Sequence, residues 1–363
     1  MQTAARPPKP PGQGLASTWT QMYPPKPTFT EKDIPDLTDK VFIVTGASSG
    51  VGKETARVLY SKNALVYVAV RSQARADRAI SDIKASQPAS KGRLEFLHLD
   101  LADLESVRAA ARRFLEQEAK LHVLFNNAAV NALYDTDGSH KTAQGHEIHL
   151  GVNVIGPFLF TRLLTPILVA TAKAEAPGTV RVVWVSSMGL EATGEKSLGL
   201  SLDYLKYWPA VSPLERYGLS KAGNWLHAVE MAQRFKEEGV ISMPVNPGHL
   251  ASELYRDGSC LFRMMLKAFA LYPCINGAYT ELFAALSPTI TNERSGEWSK
   301  FLRENLMLKS DKLSNNRASV VPWGRFYPIR RDLLDATRSE AEGGNGHAKK
   351  FWDWSEDEVR EFL

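Results

Sequence analysis

Tyr217 and Lys221 place a phenol and an ammonium group four residues apart. They lie in the segment 213–238, whose pattern predicts a helix, so both side chains project from the same helical face. A free tyrosine has a pKa of about 10, which is too high for efficient proton exchange at neutral pH, and a neighbouring cation lowers it. The pair favours general acid–base chemistry at a carbonyl or alcohol oxygen, although the spacing alone also suits a solvated helix surface.

Two serines stand at the end of a predicted strand, 180–186. Open α/β sheets bind their ligands beyond the carboxyl ends of their strands. A hydroxyl from Ser186 or Ser187 at that edge can hold a substrate oxygen beside the phenol. Serine pairs at strand ends are also common without any function, so the position alone leaves both interpretations open.

The turn TGASSGVG at 45–52 joins a predicted strand, 41–45, to a helix-like segment near 52–62. Glycines let the backbone turn sharply and approach a pyrophosphate, whose charge then meets the free N–H groups at the N-terminus of the helix. Glycine triplets are common in loops, but the order strand, turn, helix makes this one more specific. We predict a dinucleotide cofactor bound by Gly46, Ser48, Ser49, Gly50, Val51 and Gly52.

Arg71 follows the second predicted strand, where enzymes that use NAD often place an acidic residue against the adenosine ribose. A cation at this position favours the 2′-phosphate of NADP(H), with help from Ser48 or Lys53. The alternative is that Arg71 is a solvated charge at a strand end.

Six short apolar, β-branched runs alternate with helix-like segments, and each run is typical of a strand covered on both faces. This alternation predicts an α/β fold with a doubly wound parallel sheet in a single domain. The predicted strands are 41–45, 65–70, 94–99, 121–125, 180–186 and 240–245, and the predicted helices lie near 52–62, 73–86, 103–119, 143–170 and 213–238.

The chain divides into three parts. Residues 1–38 contain eight prolines, which predicts an extended, mobile arm that either binds a proline-recognising module or lies on its own domain. Residues 39–302 hold the alternating unit. Residues 303–363, which end in FWDWSEDEVREFL, form a C-terminal extension that we expect to pack back on the domain.

Composition and charge exclude several functions. The 44 basic and 40 acidic residues give a net charge of +4 without a clustered basic stripe, so we expect no nucleic-acid partner. The two cysteines, Cys260 and Cys274, and the lack of an apolar signal core favour a reducing compartment, the cytoplasm. The apolar stretch 151–170 contains two prolines and an arginine, which favours a buried helix over a membrane span.

A metal centre or a hydrolase triad is not expected. His140, His146 and His149 are close in sequence, but no cysteine and only a few carboxylates lie near them. We therefore expect surface or supporting histidines rather than metal ligands. The G-x-S-x-G elbow of serine hydrolases does not occur.

Six motifs in order resemble the short-chain dehydrogenases/reductases over roughly residues 38–300: TGASSGVG, HLDL, NNAA at 126–129, SSMG at 186–189, Tyr217-x-x-x-Lys221 and NPG at 246–248. The segments VAVRS, QGHEIHLGVNVIGPFLFTRLL and NPGHLASEL most resemble the branch that contains retinol dehydrogenases, the WW-domain oxidoreductase and many fungal biosynthetic reductases. No WW module is visible. One departure is Ala129, where the family usually has glycine, and this change costs little if the backbone is unstrained.

The resemblance implies a Rossmann-type fold, an oxidoreductase that acts on carbonyl or alcohol groups, and a role for each matched residue. Together with Arg71, it predicts dependence on NADP(H). It makes Asp100 and Leu101 adenine contacts and makes Asn126 and Asn127 an edge beside the nucleotide. It favours Ser187 over Ser186 as the working hydroxyl. It implies that Asn153 binds a water linking Lys221 to solvent, whereas a buried asparagine at a kink is the alternative. The implied catalytic set is Asn153, Ser187, Tyr217 and Lys221, with Pro247 and Gly248 also beside the cofactor.

The segment 260–273, CLFRMMLKAFALYP, follows the NPG motif in a region that shapes the substrate pocket in this family. Its apolar residues predict a flexible lid and a lipophilic carbonyl or alcohol substrate. The resemblance to fungal biosynthetic reductases implies a role in secondary metabolism. The alternative is an amphipathic helix packed on the core, or a dimer contact, with Arg263 and Lys267 on its wet face. Family analogy also leaves open a homodimer through the 103–119 and 143–170 helices, which the long tails could block.

A different class of function also fits the arm. The chain could be a non-catalytic, nucleotide-sensing scaffold that recruits partners through its prolines. A scaffold has no need of the Ser/Tyr/Lys set, which argues against this alternative.

Overall fold

Six short, largely apolar runs form parallel strands of one sheet in the computed structural model, which describes residues 15–253, 271–292, 295 and 318–363. The strand order is β3-β2-β1-β4-β5-β6, followed by two further strands, β7 and β8. The first six are β1 Val41–Thr45, β2 Leu65–Val70, β3 Arg93–His98, β4 Val123–Asn126, β5 Arg181–Val185 and β6 Ile241–Val245. The predicted doubly wound, Rossmann-type sheet is confirmed.

Helices connect these strands and cover both faces of the sheet. The helices between β1 and β6 are α2 Gly50–Ser61, α3 Gln73–Ser86, α4 Leu104–Gln117, α5 Ile148–Ala174, the short α6 Gly189–Thr193 and α7 Pro213–Arg234. They are preceded by α1 Leu15–Met22 and followed by α8 Cys274–Leu286 and α9 His347–Val359.

Successive residues of each strand face opposite layers, so the sheet is buried on both sides. In β1, Ile43 packs in the core with α4, α5 and α7. Its neighbours Phe42 and Val44 pack in the second core, with α2, α3 and α8. This burial explains why the strand segments lack polar alternation, and it fixes their carboxyl ends along one edge.

Part of the C-terminal extension joins the sheet. Strand β7, Ala318–Val321, pairs in parallel with β6, and β8, Arg325–Pro328, pairs antiparallel with β7. The sequence pattern predicted six strands and missed this hairpin. Farther on, α9 packs across α5 and α7, with the Trp352 ring 4.9 Å from the ring of Phe158. The boundaries of the three predicted parts stay a prediction.

The long helix α5 begins later than predicted. The segment 143–170 was expected to be helical from its start, but Thr142 and His146 form a tight turn, and the Glu147 carboxylate caps the helix by accepting the N–H of His149. A π-helical turn follows at Gly151–Ile155. Among the described helices, α5 alone is long and apolar enough to span a membrane. It is mostly buried inside the fold, which agrees with the predicted core helix.

The arm also differs from its prediction. Prolines favoured an extended chain over 1–38, yet Leu15–Met22 is helical. Gln21 of this helix is 2% exposed, while Trp19 is 68% exposed. One face of α1 is therefore packed against the domain. Residues 1–14, with the first proline run, lie outside the described residues.

Candidate active site

The carboxyl ends of the parallel strands open into a cavity of about 530 Å³. A cavity of this size is in the usual range for a cofactor or small-molecule site. Of the sequence-predicted site residues, those on its wall are Gly46, Ser48, Ser49, Gly50, Val51, Arg71, Asp100, Leu101, Asn127, Ser187, Tyr217, Lys221, Pro247 and Gly248. Gly52 and Asn153 lie behind the wall and support it.

The glycine turn brings backbone close to backbone. Gly46 has a φ of +73°, a left-handed conformation that favours glycine. A Cβ on Gly52 would lie 2.5 Å from Asn127 Nδ2, so the missing side chain lets α2 pack against the turn. Asn127 Nδ2 in turn donates to the Thr45 carbonyl at 2.7 Å. Since α2 begins at Gly50, the N–H groups of its first turn are available to an anion, and this cradle fits the pyrophosphate of a dinucleotide.

The part of the cavity wall next to the end of β2 has two arginines rather than one. Arg71 is exposed at the end of β2. Arg75 lies in the first turn of α3, also lines the cavity and pairs with Glu253 at 2.5 Å. Sequence analysis missed Arg75, although its i+4 spacing from Arg71 was visible. Glu253 also accepts from Ser49 Oγ at 3.4 Å, so the acid bridges the glycine turn and α3 at the mouth of the cavity.

Asp100 and Leu101 form the far side of this part of the cavity. The Asp100 side chain accepts the N–H of Ala102 at 2.9 Å, which shapes the turn after β3. Leu99 and Leu101 flank Asp100 on the cavity wall and, with Ala69 and Val70 of β2, give an apolar slot there. Apolar side chains of this kind are compatible with an aromatic base.

The serine pair divides into two environments. Ser186 is buried, and its Oγ donates to the Lys221 carbonyl at 2.7 Å, which fixes α7 against the end of β5. Ser187 is half-buried on the cavity wall, and its Oγ accepts the N–H of Gly189 at 3.1 Å. Of the two hydroxyls, that of Ser187 is the better placed to meet a bound oxygen.

Lys221 is completely buried behind Tyr217. Its Nζ lies 5.7 Å from the centroid of the Tyr217 ring and donates to the Val185 carbonyl at 2.7 Å. Burial lowers the pKa of Lys221 to about 7, because a charged ammonium loses its hydration there. A negative charge on the phenol would favour the protonated form, so the two groups are coupled across this short distance.

Asn153 sits inside the π-helical turn of α5 with all of its amide engaged. Its Oδ1 accepts the Val130 N–H at 2.8 Å, and its Nδ2 donates to the Val130 carbonyl and to Ser220 Oγ. The side chain therefore ties the loop after β4 to α7, one residue before Lys221. Single π turns in helices occur often at functional sites.

A cluster of buried charged side chains lies next to Tyr217, behind the cavity wall. Arg216, next to Tyr217, is fully buried, with Asp135 Oδ2 and Glu147 Oε1 each 3.6 Å from its guanidinium. Glu147 also pairs with His149 Nδ1 at 2.6 Å and accepts from the Trp208 indole. Although burial opposes it, the hydrogen bond from His149 lowers the pKa of Glu147. Among the described residues, no group of three or more His, Cys, Asp or Glu side chains is arranged to hold a metal ion.

Comparison with known proteins agrees with this geometry. The profile of the short chain dehydrogenase family matches residues 40–197. The chain is 57% identical to the short-chain dehydrogenase/reductase bet4 of Neocamarosporium betae over 99% of its length and 97% of that relative. It is 63% identical to sthC of Phaeosphaeria nodorum, a short-chain dehydrogenase/reductase, over 80% of this chain and 92% of that one.

A solved structure extends the likeness to the whole fold. An uncharacterised Mycobacterium paratuberculosis protein has a TM-score of 0.58 and 26% identity, with 91% of this chain and 96% of that one covered. Because the fungal relatives match at 57% and 63% identity over most of both chains, the chain belongs to the short-chain dehydrogenase/reductase family.

Proposed function

We propose that this oxidoreductase transfers a hydride between NADP(H) and the carbonyl or alcohol carbon of a lipophilic small molecule. The observation that carries the proposal is the placing of Ser187, Tyr217 and Lys221 on the wall of the same cavity that begins at the glycine turn. A phenol, a supporting cation and a hydroxyl beside a dinucleotide cradle suit proton transfer coupled to hydride transfer.

Each side chain has a separate task in the reduction. NADP(H), when bound, supplies or accepts the hydride. The Ser187 hydroxyl donates a hydrogen bond to the carbonyl oxygen and holds it beside the phenol. Tyr217 gives its proton to that oxygen as the carbon gains the hydride, and Lys221 stabilises the phenolate that remains. Asn153 holds Ser220 and thereby the turn of α7 that carries the lysine. The oxidation runs through the same groups in reverse.

Choice of cofactor is proposed to rest on Arg71. A charge-assisted hydrogen bond to a 2′-phosphate contributes about 1.5–3 kcal/mol, roughly a ten- to hundredfold preference. Arg71→Asp should therefore weaken NADPH binding by about that factor and leave NADH binding equal or tighter. Fluorescence titration of both cofactors measures the ratio. Arg78→Asp, on the exposed outer side of α3, is the matched control, and an unchanged NADPH/NADH ratio in Arg71→Asp contradicts this assignment.

A lipophilic substrate is supported by the other end of the cavity. Beyond Ser187 and Tyr217, the wall is largely apolar and includes Val130, Ala132, Ile148, Val152, Met188 and Leu250. Apolar walls with a few placed polar groups are typical of pockets for such ligands. Most of the predicted lid at 260–273, including Phe262 and Met265, lies outside the described residues.

The direct test is NADPH consumption, followed by absorbance, against a panel of apolar ketones and aldehydes, with sugars and small keto acids as comparison substrates. We expect turnover in the apolar group. Turnover confined to sugars or acids would contradict the substrate class, and NADPH binding without turnover of any compound would favour the nucleotide-sensing scaffold.

The setting of the reaction is also a proposal. Cys274 is a free thiol, which suits the reducing cytoplasm. The fungal origin of the two relatives fits a role in secondary metabolism. The homodimer stays a prediction. Arg162 of α5 pairs with Glu356 of α9 at 2.5 Å, so the C-terminal extension covers part of the α5 surface through which such a dimer was predicted to form.

A further inference from the structure

Helix α1 buries a single amide side chain, Gln21, against the edge of the active site. Gln21 is 2% exposed, although its helix lies on the outside of the protein. Gln21 Oε1 accepts from Asn246 Nδ2 at 2.7 Å, and Gln21 Nε2 donates to Glu191 Oε1 at 3.1 Å. One side chain from the N-terminal arm therefore connects two segments that are far apart in sequence.

Both segments belong to the cavity wall or support it directly. Asn246 follows β6 and lines the cavity, and its Oδ1 accepts the N–H of Gly248 at 3.1 Å. Glu191 lies in α6, two residues after Gly189, whose N–H holds Ser187 Oγ. The hydrogen bonds thus run from the Gly248 turn through Asn246 and Gln21 to the helix beside the reactive serine.

The C-terminal hairpin holds α1 in this position. The guanidinium of Arg325, the first residue of β8, donates to the Thr20 carbonyl at 3.0 Å and to Thr20 Oγ1 at 3.2 Å. The same hairpin packs on the turn at Gly248, where an added Cβ would lie 2.9 Å from Pro322 Cγ and 3.0 Å from Trp323. Both chain ends thus meet at one turn of the cavity wall.

We propose that Gln21 is a positioning residue of the active site, which sets the Asn246–Gly248 turn relative to Ser187. This inference rests on the proposed function, because its effect on catalysis needs a cofactor and a carbonyl in the cavity. Removing the hydrogen-bond partner of a buried amide costs more free energy than removing that of an exposed amide, because water cannot replace the lost bond. Loss of Gln21 leaves both the Asn246 amide and the Glu191 carboxylate without this link.

The first experiment compares Gln21→Leu with Trp19→Gln, a control on the exposed face of the same helix. We expect NADPH to bind about five- to tenfold more weakly to Gln21→Leu, with kcat reduced more than KM for the ketone is raised, and the control to match wild type. Hydrogen exchange at the Gly248 amide, measured without substrate or cofactor, should become faster in Gln21→Leu alone. A purely structural role would lower the melting temperature without these local effects.

The second experiment exchanges the amide and the carboxylate. Gln21→Glu faces Glu191 with a second carboxylate and removes the donor, so it should weaken NADPH binding like Gln21→Leu. The double variant Gln21→Glu/Glu191→Gln restores one donor and one acceptor and should recover most of the wild-type affinity and exchange rate. If Gln21→Leu fails to fold, this pair decides alone.

The outcomes separate this inference from the proposed function. A wild-type chain that neither binds NADPH nor reduces any carbonyl contradicts the function itself. A wild-type chain that does both, together with Gln21 variants of unchanged affinity, kcat and Gly248 exchange, overturns the positioning role only. Failure of the double variant to recover, while Gln21→Glu is impaired, also overturns it.

Discussion

Replacing Tyr217 with phenylalanine should lower kcat by about 10²- to 10⁴-fold while the fold and NADPH binding stay intact, because the loss of general acid–base assistance typically has that size. The change removes one oxygen from a half-buried ring, and the ring contact with Lys221 Nζ, 5.7 Å away, remains. Single-turnover reduction of an apolar ketone measures the chemical step, and fluorescence titration measures NADPH binding separately.

Tyr134→Phe provides the matched control for this prediction. Tyr134 lines the same cavity and is 53% exposed, so the substitution removes a phenol of the same kind from the same site. We expect its kcat to stay close to that of the wild type. Near-normal turnover in Tyr217→Phe would show that the proton comes from another group. An equal loss in both variants would show that the loss is not specific to Tyr217 and would contradict its assignment as the proton donor.

Local pattern was sufficient for the sheet and for the cradle. The six predicted strands are short apolar runs, and all except β3 are buried almost throughout, so periodicity and burial agreed along most of the sheet. The glycine turn could also be placed from sequence, because a turn between a strand and a helix has few solutions. The choice of Ser187, Tyr217 and Lys221 came instead from the resemblance to the short-chain dehydrogenases/reductases, because the strand and helix pattern alone left other interpretations open.

Long-range contacts were outside the reach of the pattern. The β7–β8 hairpin has four-residue strands, which become recognisable only through their pairing with each other and that of β7 with β6. Helix α1 follows a proline-rich run whose composition favours extended chain, and the contacts of Thr20 and Gln21 with distant residues stabilise it instead. Tertiary contacts here override local propensity.

Asn153 and Arg216 illustrate the same limit within the site. Sequence left Asn153 between a water-binding role and a buried kink, and the structure places it in a π-helical turn, bonded to Val130 and Ser220. Arg216 gave no signal, since its carboxylate partners are 69 and more residues away in the chain. Its buried position leads to a second large expected effect.

Arg216→Met should destabilise the fold by about 3–5 kcal/mol, because removing one partner of a buried ion pair leaves an uncompensated charge in the interior. Asp135 and Glu147 are 3% and 4% exposed, so water cannot replace the guanidinium beside either carboxylate. Denaturant unfolding at pH 7 gives the free energy of unfolding. Arg112→Met is the matched control: its side chain is 77% exposed, its partner Glu116 is 3.9 Å away, and exposed pairs contribute at most about 1 kcal/mol.

A double variant tests whether the loss comes from the buried charge. Arg216→Met/Glu147→Gln removes one carboxylate together with the cation, so it should be more stable than Arg216→Met, even though Glu147 also binds His149 and the Trp208 indole. The loop that carries Asp135 also supplies Asn131 and Tyr134 to the cavity wall, so the single variant should also raise KM for the ketone at temperatures where it is folded. A loss in Arg216→Met no larger than that in Arg112→Met would mean that water reaches this cluster in solution, and the loop would then be held by its backbone contacts instead.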